Sequence, residues 1–251
     1  MATELKLARL REGPEIFFSL QGEGRHVGRP SVFVRTSRCN LQCVWCDTPY
    51  TWFWRGHGLT HESGEARAFD RERETLSLSI EAVADEVQRF PCRHVVLTGG
   101  EPLLQAAGCA ALMRALRERD PGYRFDIETN GTLVPPPELA ELVELYTVSP
   151  KLESSGMRAS LRLRDDALSY FAADARSVFK LVVAGPRDKD EVVALTRAYG
   201  IEPDRVYLMP CAADGASAHA RARAVAGLCL ELGFRYSDRL HLHLFGKERG
   251  V

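Results

Sequence analysis

Ser31-Val32-Phe33-Val34-Arg35-Thr36-Ser37-Arg38-Cys39-Asn40-Leu41-Gln42-Cys43-Val44-Trp45-Cys46-Asp47-Thr48 starts as a strand and ends as a metal loop. Ser31–Arg35 is rich in β-branched and aromatic residues, which suit a pleated, half-buried surface. Behind it, Cys39, Cys43 and Cys46 are spaced C-x3-C-x2-C. Iron–sulfur clusters are usually held by four thiolates. Three thiolates therefore leave one iron of a four-iron cubane free, and an open coordination position is the mark of a catalytic metal site. The rival reading is zinc, with Asp47 or a distant histidine as fourth ligand. The paired C-x2-C half-sites of structural zinc are absent. The remaining cysteines, Cys92, Cys109, Cys211 and Cys229, are scattered singly. Cys109 and Cys229 fall on apolar faces of predicted helices and read as small buried hydrophobes.

Outward from this loop, short apolar strands alternate with amphipathic helices. His94–Thr98 reads as a buried strand closed by Gly99-Gly100. Arg124–Thr129, Tyr146–Ser149, Ser177–Val183 and Val206–Met209 read as further strands, and Leu240–Leu244 as a last one of period two. Helices are predicted at Ser79–Phe90, with Ser79 as cap, and at Gln105–Arg119, Pro136–Leu145, Asp188–Tyr199 and Ala216–Leu232, the last ended by Gly233. Such alternation argues for an α/β fold with parallel strands and helical crossovers. Fewer than eight such strands are too few for a closed eight-stranded barrel, which leaves a partial barrel or an open sheet. In either, ligands gather beyond the carboxyl ends of the strands. Arg55–Glu74 is polar and glycine-containing and reads as a loop insertion.

Composition sets limits on partners. The chain has 251 residues, 27% of them charged, and a formal net charge of −1. That balance gives no case for a nucleic-acid or membrane-surface partner. No run reaches the ~18 apolar residues of a membrane span. Met1-Ala2-Thr3-Glu4 lacks the apolar stretch of a secretory signal, so a cytoplasmic protein with reduced thiols is expected.

Thr98-Gly99-Gly100-Glu101-Pro102 ends a strand. Paired glycines let a ligand approach the backbone, and a carboxylate can pair with an ammonium group. With Trp45 directly before the third cysteine, the pair of motifs resembles the radical S-adenosylmethionine (SAM) superfamily. The match narrows through Glu15–Gly24 (EIFFSLQGEG), Phe33-Val34-Arg35, Cys46-Asp47-Thr48, TGGEPLLQ at 98–105, Glu128–Thr132 (ETNGT) and Ser149-Pro150-Lys151, all in order. From Glu15 to Val251 the chain resembles the 7-carboxy-7-deazaguanine synthases, carbon–nitrogen lyases of queuosine-type 7-deazapurine biosynthesis.

That resemblance implies a partial (β/α)6 barrel in a single radical SAM domain over residues 1–251. Residues 14–54 would bind substrate and cluster, 55–74 would be the insertion, and 75–251 would complete the barrel. It implies that Cys39, Cys43 and Cys46 hold a [4Fe–4S] cluster with SAM on the fourth iron. Trp45, Cys46, Asp47, Gly100, Glu101, Ser149, Pro150 and Lys151 would line the SAM site. Leu20, Gln21, Gly22, Arg35, Thr98 and the terminal Val251 would meet a pterin, and Thr48 would ligate Mg2+. The implied reaction converts 6-carboxy-5,6,7,8-tetrahydropterin to 7-carboxy-7-deazaguanine with loss of ammonia, through a 5′-deoxyadenosyl radical and a Mg-assisted ring contraction. No catalytic side chain is implied, since the radical comes from SAM. An electron donor such as flavodoxin or ferredoxin and a homodimer are implied as partners.

Taken singly, these residues have blander readings. Arg35 and Lys151 would be surface charges, Gln21-Gly22 a turn and Thr48 a hydroxyl bonded to nearby backbone. His241 and His243, alternating with leucines, are assigned no catalytic role. Arg38 departs from the family, which usually has glycine there. The rival functions are a radical SAM glycyl-radical activase, which would not need QGEG, Arg35 or Asp47-Thr48, and a non-enzymatic Fe–S or zinc module.

Overall fold

The computed structural model describes residues 4–56, 58, 60–64, 68–212 and 214–251. The sequence readings of residues 1–3 and of part of the insertion lie outside the described residues. The strands are β1 (Glu4–Leu10), β2 (Gly13–Pro14), β3 (Ile16–Leu20), β4 (Pro30–Thr36), β5 (Thr75–Ser79), β6 (His94–Gly99), β7 (Arg124–Thr129), β8 (Leu145–Val148), β9 (Ser177–Val183), β10 (Val206–Pro210) and β11 (Arg235–Tyr236). They form one sheet in the order β11-β10-β9-β8-β7-β6-β4-β1-β2. From β4 to β11 every pairing is parallel, as in a partial barrel that has not closed. β3 pairs antiparallel with β4, and β1 pairs antiparallel with β2, β4 and β5.

Alternation along the parallel strands divides the sheet into two unlike faces. Val32, Val34, Val95, Leu97, Phe125, Ile127, Tyr146, Val148, Phe179, Leu181, Val206 and Leu208 point to the face covered by helices and are buried in the main core. The intervening residues include Arg35, Thr98, Asp126, Glu128, Thr147 and Lys180. Polar side chains on the inner face and a largely apolar, helix-backed outer face are what a ligand cavity on such a sheet requires. Because the strands run parallel, the loops after Thr36, Gly99, Thr129, Val148 and Val183 all open at one rim.

Most predicted elements form. The helix Ile80–Gln88 is capped by the Ser79 hydroxyl, which accepts from the Ala82 N–H at 3.2 Å. Gly215–Leu232 ends at Gly233 with φ 71°, the left-handed cap that glycine adopts freely. Ala106–Arg119 and Asp188–Ala198 also match their predictions.

Three readings need correction. Leu240–Leu244 is not a strand; Leu240–Phe245 is a short helix that buries Leu242, and the last strand is Arg235–Tyr236. Leu240 and Leu244, four residues apart, share one side of a helical turn and Leu242 takes the other, so five residues of alternation do not exclude a helix. The helix predicted at Pro136–Leu145 shrinks to Pro137–Ala140, because the Glu144 N–H turns to the Phe125 carbonyl and joins the sheet. The end of the insertion is not loop: Asp70 caps a turn of helix at Arg71–Glu74, and β5 follows at once. The strand–helix alternation begins at Ser31, so the antiparallel pairings of β1 and β3 carry no signal in it.

Candidate active site

The cysteine loop leaves β4 and packs between three neighbours. The first is the glycine pair after β6. The Gly100 N–H donates to the Thr36 carbonyl at 3.0 Å and the Glu101 N–H to the Arg38 carbonyl at 2.8 Å. A Cβ on Gly99 would meet Thr36 O at 2.2 Å, and one on Gly100 would meet Arg38 O at 2.0 Å. The close approach these glycines permit is thus that of the cysteine loop's own backbone. Arg38 has φ 78°, in the left-handed region that favours glycine, which explains the family preference at this position.

The second neighbour is the segment after β8. The Trp45 indole N–H donates to the Ser154 carbonyl at 2.8 Å, and the Lys151 ammonium lies 5.9 Å from the Trp45 ring. Lys151 Nζ donates to Ser149 Oγ at 2.9 Å, so the structure brings Ser149, Lys151 and Trp45 together. Pro150 lies between them in sequence and is buried. The third neighbour is the insertion together with Trp52 and Phe53 just before it. Trp52, Phe53 and Ala68 form a small core against Cys39 and Cys46, and the Glu62 N–H and the His61 ring hold the carbonyls of Val44 and Cys46 at 2.8 and 2.9 Å. The insertion therefore covers the outside of the loop.

Burial pushes all three thiols up, Cys43 to about 11, with Lys151 partly opposing the rise. Without metal they are neutral.

Glu101 is fully buried, and its carboxylate accepts from the Leu103 N–H, the Thr129 hydroxyl and the Asn130 N–H at 3.0, 2.9 and 2.7 Å. Burial raises its pKa against these three donors. It ties the ends of β6 and β7 together at the rim.

The predicted substrate residues gather on the inner face. Glu128, which sequence motifs placed on a strand end without a role, is their hub. It accepts from Gln21 Nε2 at 3.0 Å and from Thr98 Oγ1 at 2.8 Å. Leu20 ends β3. Gly22 sits against the His241 ring, which a Cβ there would meet at 2.3 Å, and the Leu240 N–H donates to the Gly22 carbonyl at 2.9 Å. Arg35 Nε donates to Glu15 Oε1 at 2.9 Å. Arg249 reaches the other oxygen of Glu15 at 2.8 Å and lies 3.5 Å from the Tyr50 ring, which brings the tail ending at Val251 beside Arg35. Thr48 Oγ1 is 3.6 Å from Cys46 Sγ, between the loop and this face.

One network has no sequence signal. Glu23 pairs with Lys180 and, at 3.1 Å, with Arg239, and Arg239 also pairs with Asp47. Burial would raise the Glu23 pKa, but Lys180, Arg239 and His241 override it and hold the carboxylate well below its usual range. Asp47, expected beside SAM, is thus tied to the C-terminal segment.

A fold of this kind, with three cysteines after a strand and a Gly-Gly-Glu turn beside them, defines a class. The Radical SAM superfamily model matches residues 33–210, and the chain belongs to that superfamily, which implies a 4Fe–4S cluster and SAM. Within it, the chain belongs to the 7-carboxy-7-deazaguanine synthase family. The protein of that name from Pyrobaculum aerophilum is 38% identical over 94% of this chain and 95% of its own. The one from Halobacterium salinarum is 35% identical over 92% and 89%. The crystal structure of QueE from Escherichia coli superposes with a TM-score of 0.67 at 26% identity, covering 95% of each chain. A glycyl-radical activase and a non-enzymatic module are not favoured.

Proposed function

We propose that this chain converts 6-carboxy-5,6,7,8-tetrahydropterin to 7-carboxy-7-deazaguanine with release of ammonia, as a single radical SAM domain working in the cytosol. The observation that carries the reading is the meeting, at one rim, of the cysteine loop with a polar face built by Gln21, Thr98 and Glu128. When bound, cluster and SAM supply a carbon radical able to take a hydrogen from the substrate.

The chain's own part is binding, orientation and exclusion of water. Cys39, Cys43 and Cys46 hold the cluster. Trp45, Cys46, Asp47, Ser149, Pro150 and Lys151 would line the SAM site, and Gly100 and Glu101 would form the turn beside it. Glu128 offers two acceptor oxygens, presently held by Gln21 and Thr98, to the N–H edge of the pterin ring. Leu20, Gln21 and Gly22 read the rest of that ring. Arg35 has one nitrogen on Glu15, and its remaining donors suit the substrate carboxylate. Thr48 would hold Mg2+ with waters and that same carboxylate, a hard cation that takes few protein ligands. The tail at Val251 closes the pocket. A flavodoxin- or ferredoxin-type donor would reduce the cluster, and the working unit would be a homodimer.

The test is anaerobic incubation of the reconstituted protein with SAM, reductant and the tetrahydropterin, with product read by mass. Formation of 7-carboxy-7-deazaguanine is expected. Deoxyadenosine without deazaguanine would overturn the substrate assignment.

A further inference from the structure

Away from the cysteine rim, three metal-ligating side chains meet at the amino end of the same inner face. His26 belongs to the short turn Gly24–His26, His94 opens β6, and Asp126 lies on β7, two residues before Glu128 and facing the same way. Asp126 Oδ2 is 2.7 Å from His26 Nδ1 and 3.0 Å from His94 Nε2. The side chains of Asp126 and His94 are 3% and 4% exposed. Their ligand atoms and that of His26 all lie within 4.8 Å of one another.

The Ser31 hydroxyl donates to the Arg29 carbonyl at 3.1 Å and lies 2.8 Å from His94 Nδ1, which leaves His94 Nε2 facing the carboxylate. That nitrogen and Asp126 Oδ1 are both buried without a hydrogen-bond partner among the described residues. Two ring nitrogens and an anion converge on one point, an arrangement that suits a bound cation. A metal-ligating histidine usually donates its other ring N–H to an oxygen, and Ser31 Oγ stands within reach of His94 Nδ1 for that. Two imidazoles and one carboxylate are a borderline donor set that fits zinc-class ions better than magnesium or calcium.

We propose that His26, His94 and Asp126 bind a divalent transition-metal ion of the zinc class, separate from the cysteine loop. His26 is the partly exposed member, with 22% of its side chain accessible, and leaves a fourth position for water. The ion ties the Gly24–His26 turn to β6 and β7 and so sets the floor under Gln21 and Glu128. Nothing here depends on the pterin assignment.

The test uses the full chain, stripped with chelator, reconstituted with its cluster and given one equivalent of Zn2+ before desalting. Elemental analysis is expected to retain one zinc per chain, and zinc-edge X-ray absorption to show nitrogen and oxygen neighbours at about 2.0–2.1 Å and no sulfur. In His26→Gln and His94→Gln, zinc binding should weaken at least about tenfold. Should either variant fail to fold, the wild-type stoichiometry and sulfur-free shell decide. No retained zinc, a sulfur shell, or equal retention in folded variants would overturn the site and leave a hydrogen-bonded pin only.

Discussion

The cysteine loop and the Glu23 network lie side by side, joined through Asp47 and Arg239, yet they are built on opposite principles. The loop's thiols are pushed up by burial and stay neutral, so the site is incomplete until metal arrives. In the network, Glu23 is pushed down and Lys180 up, and every charge is already answered. The first is a socket for a ligand; the second is a finished wall that closes the sheet with residues from both ends of the chain. Function is concentrated where the protein leaves valences open, and rigidity where it satisfies them.

The sharpest way to break this contrast is at the sulfurs. Cys43→Ala should abolish cluster binding and SAM cleavage, measured by iron content and deoxyadenosine release. Cys109→Ala, at a fully buried helix position outside the loop, should keep both. Equal loss in the two variants would erase the distinction between ligand and packing cysteines.

The wall is probed next. Lys180→Met removes one of two cations facing the buried Glu23 carboxylate and should lower unfolding stability by about 3 kcal/mol in urea titrations of the cluster-free protein. A loss below about 0.5 kcal/mol would mean the network is no more than a surface pair.

A third test uses pH. The folded pKa of Glu23 is depressed, so its stabilisation is present above the unfolded carboxyl value of 4.5 and is lost as pH falls toward the folded value. Glu23→Gln should therefore be less stable than wild type at pH 7, with the gap narrowing below pH 4.5. A gap independent of pH would show that charge is not what Glu23 contributes.

The smallest expected effect concerns Arg38. Arg38→Gly relieves a left-handed backbone at φ 78° but frees the unfolded chain, so the two nearly offset and stability should change by less than about 1 kcal/mol. A larger loss would mean that the Arg38 side chain has a structural role of its own.

The same contrast governs what could be read in advance. The cysteine loop, TGGEP and Ser149–Lys151 are contiguous, because a turn that positions ligands must specify neighbouring residues together. Strands β6 to β10 were legible from apolar runs, and their parallel order followed from the helices between them. Glu23, Lys180 and Arg239 were not legible, because Glu23 and Arg239 meet across 216 residues. Lys180 lies within a strand whose apolar neighbours gave the dominant signal. Glu128 was seen as a strand end, but its partners Gln21 and Thr98 come from two other strands' ends. The Leu240–Phe245 helix is hidden in the sequence because five residues are too few for alternating leucines to decide between strand and helix.

The central claim is that the cysteine loop holds a cluster with one iron open to SAM. The most direct measurement is the electron paramagnetic resonance spectrum of the reduced, reconstituted protein with and without SAM. A [4Fe–4S] signal whose g-values shift when SAM is added is the predicted result. A spectrum that SAM leaves unchanged would contradict it.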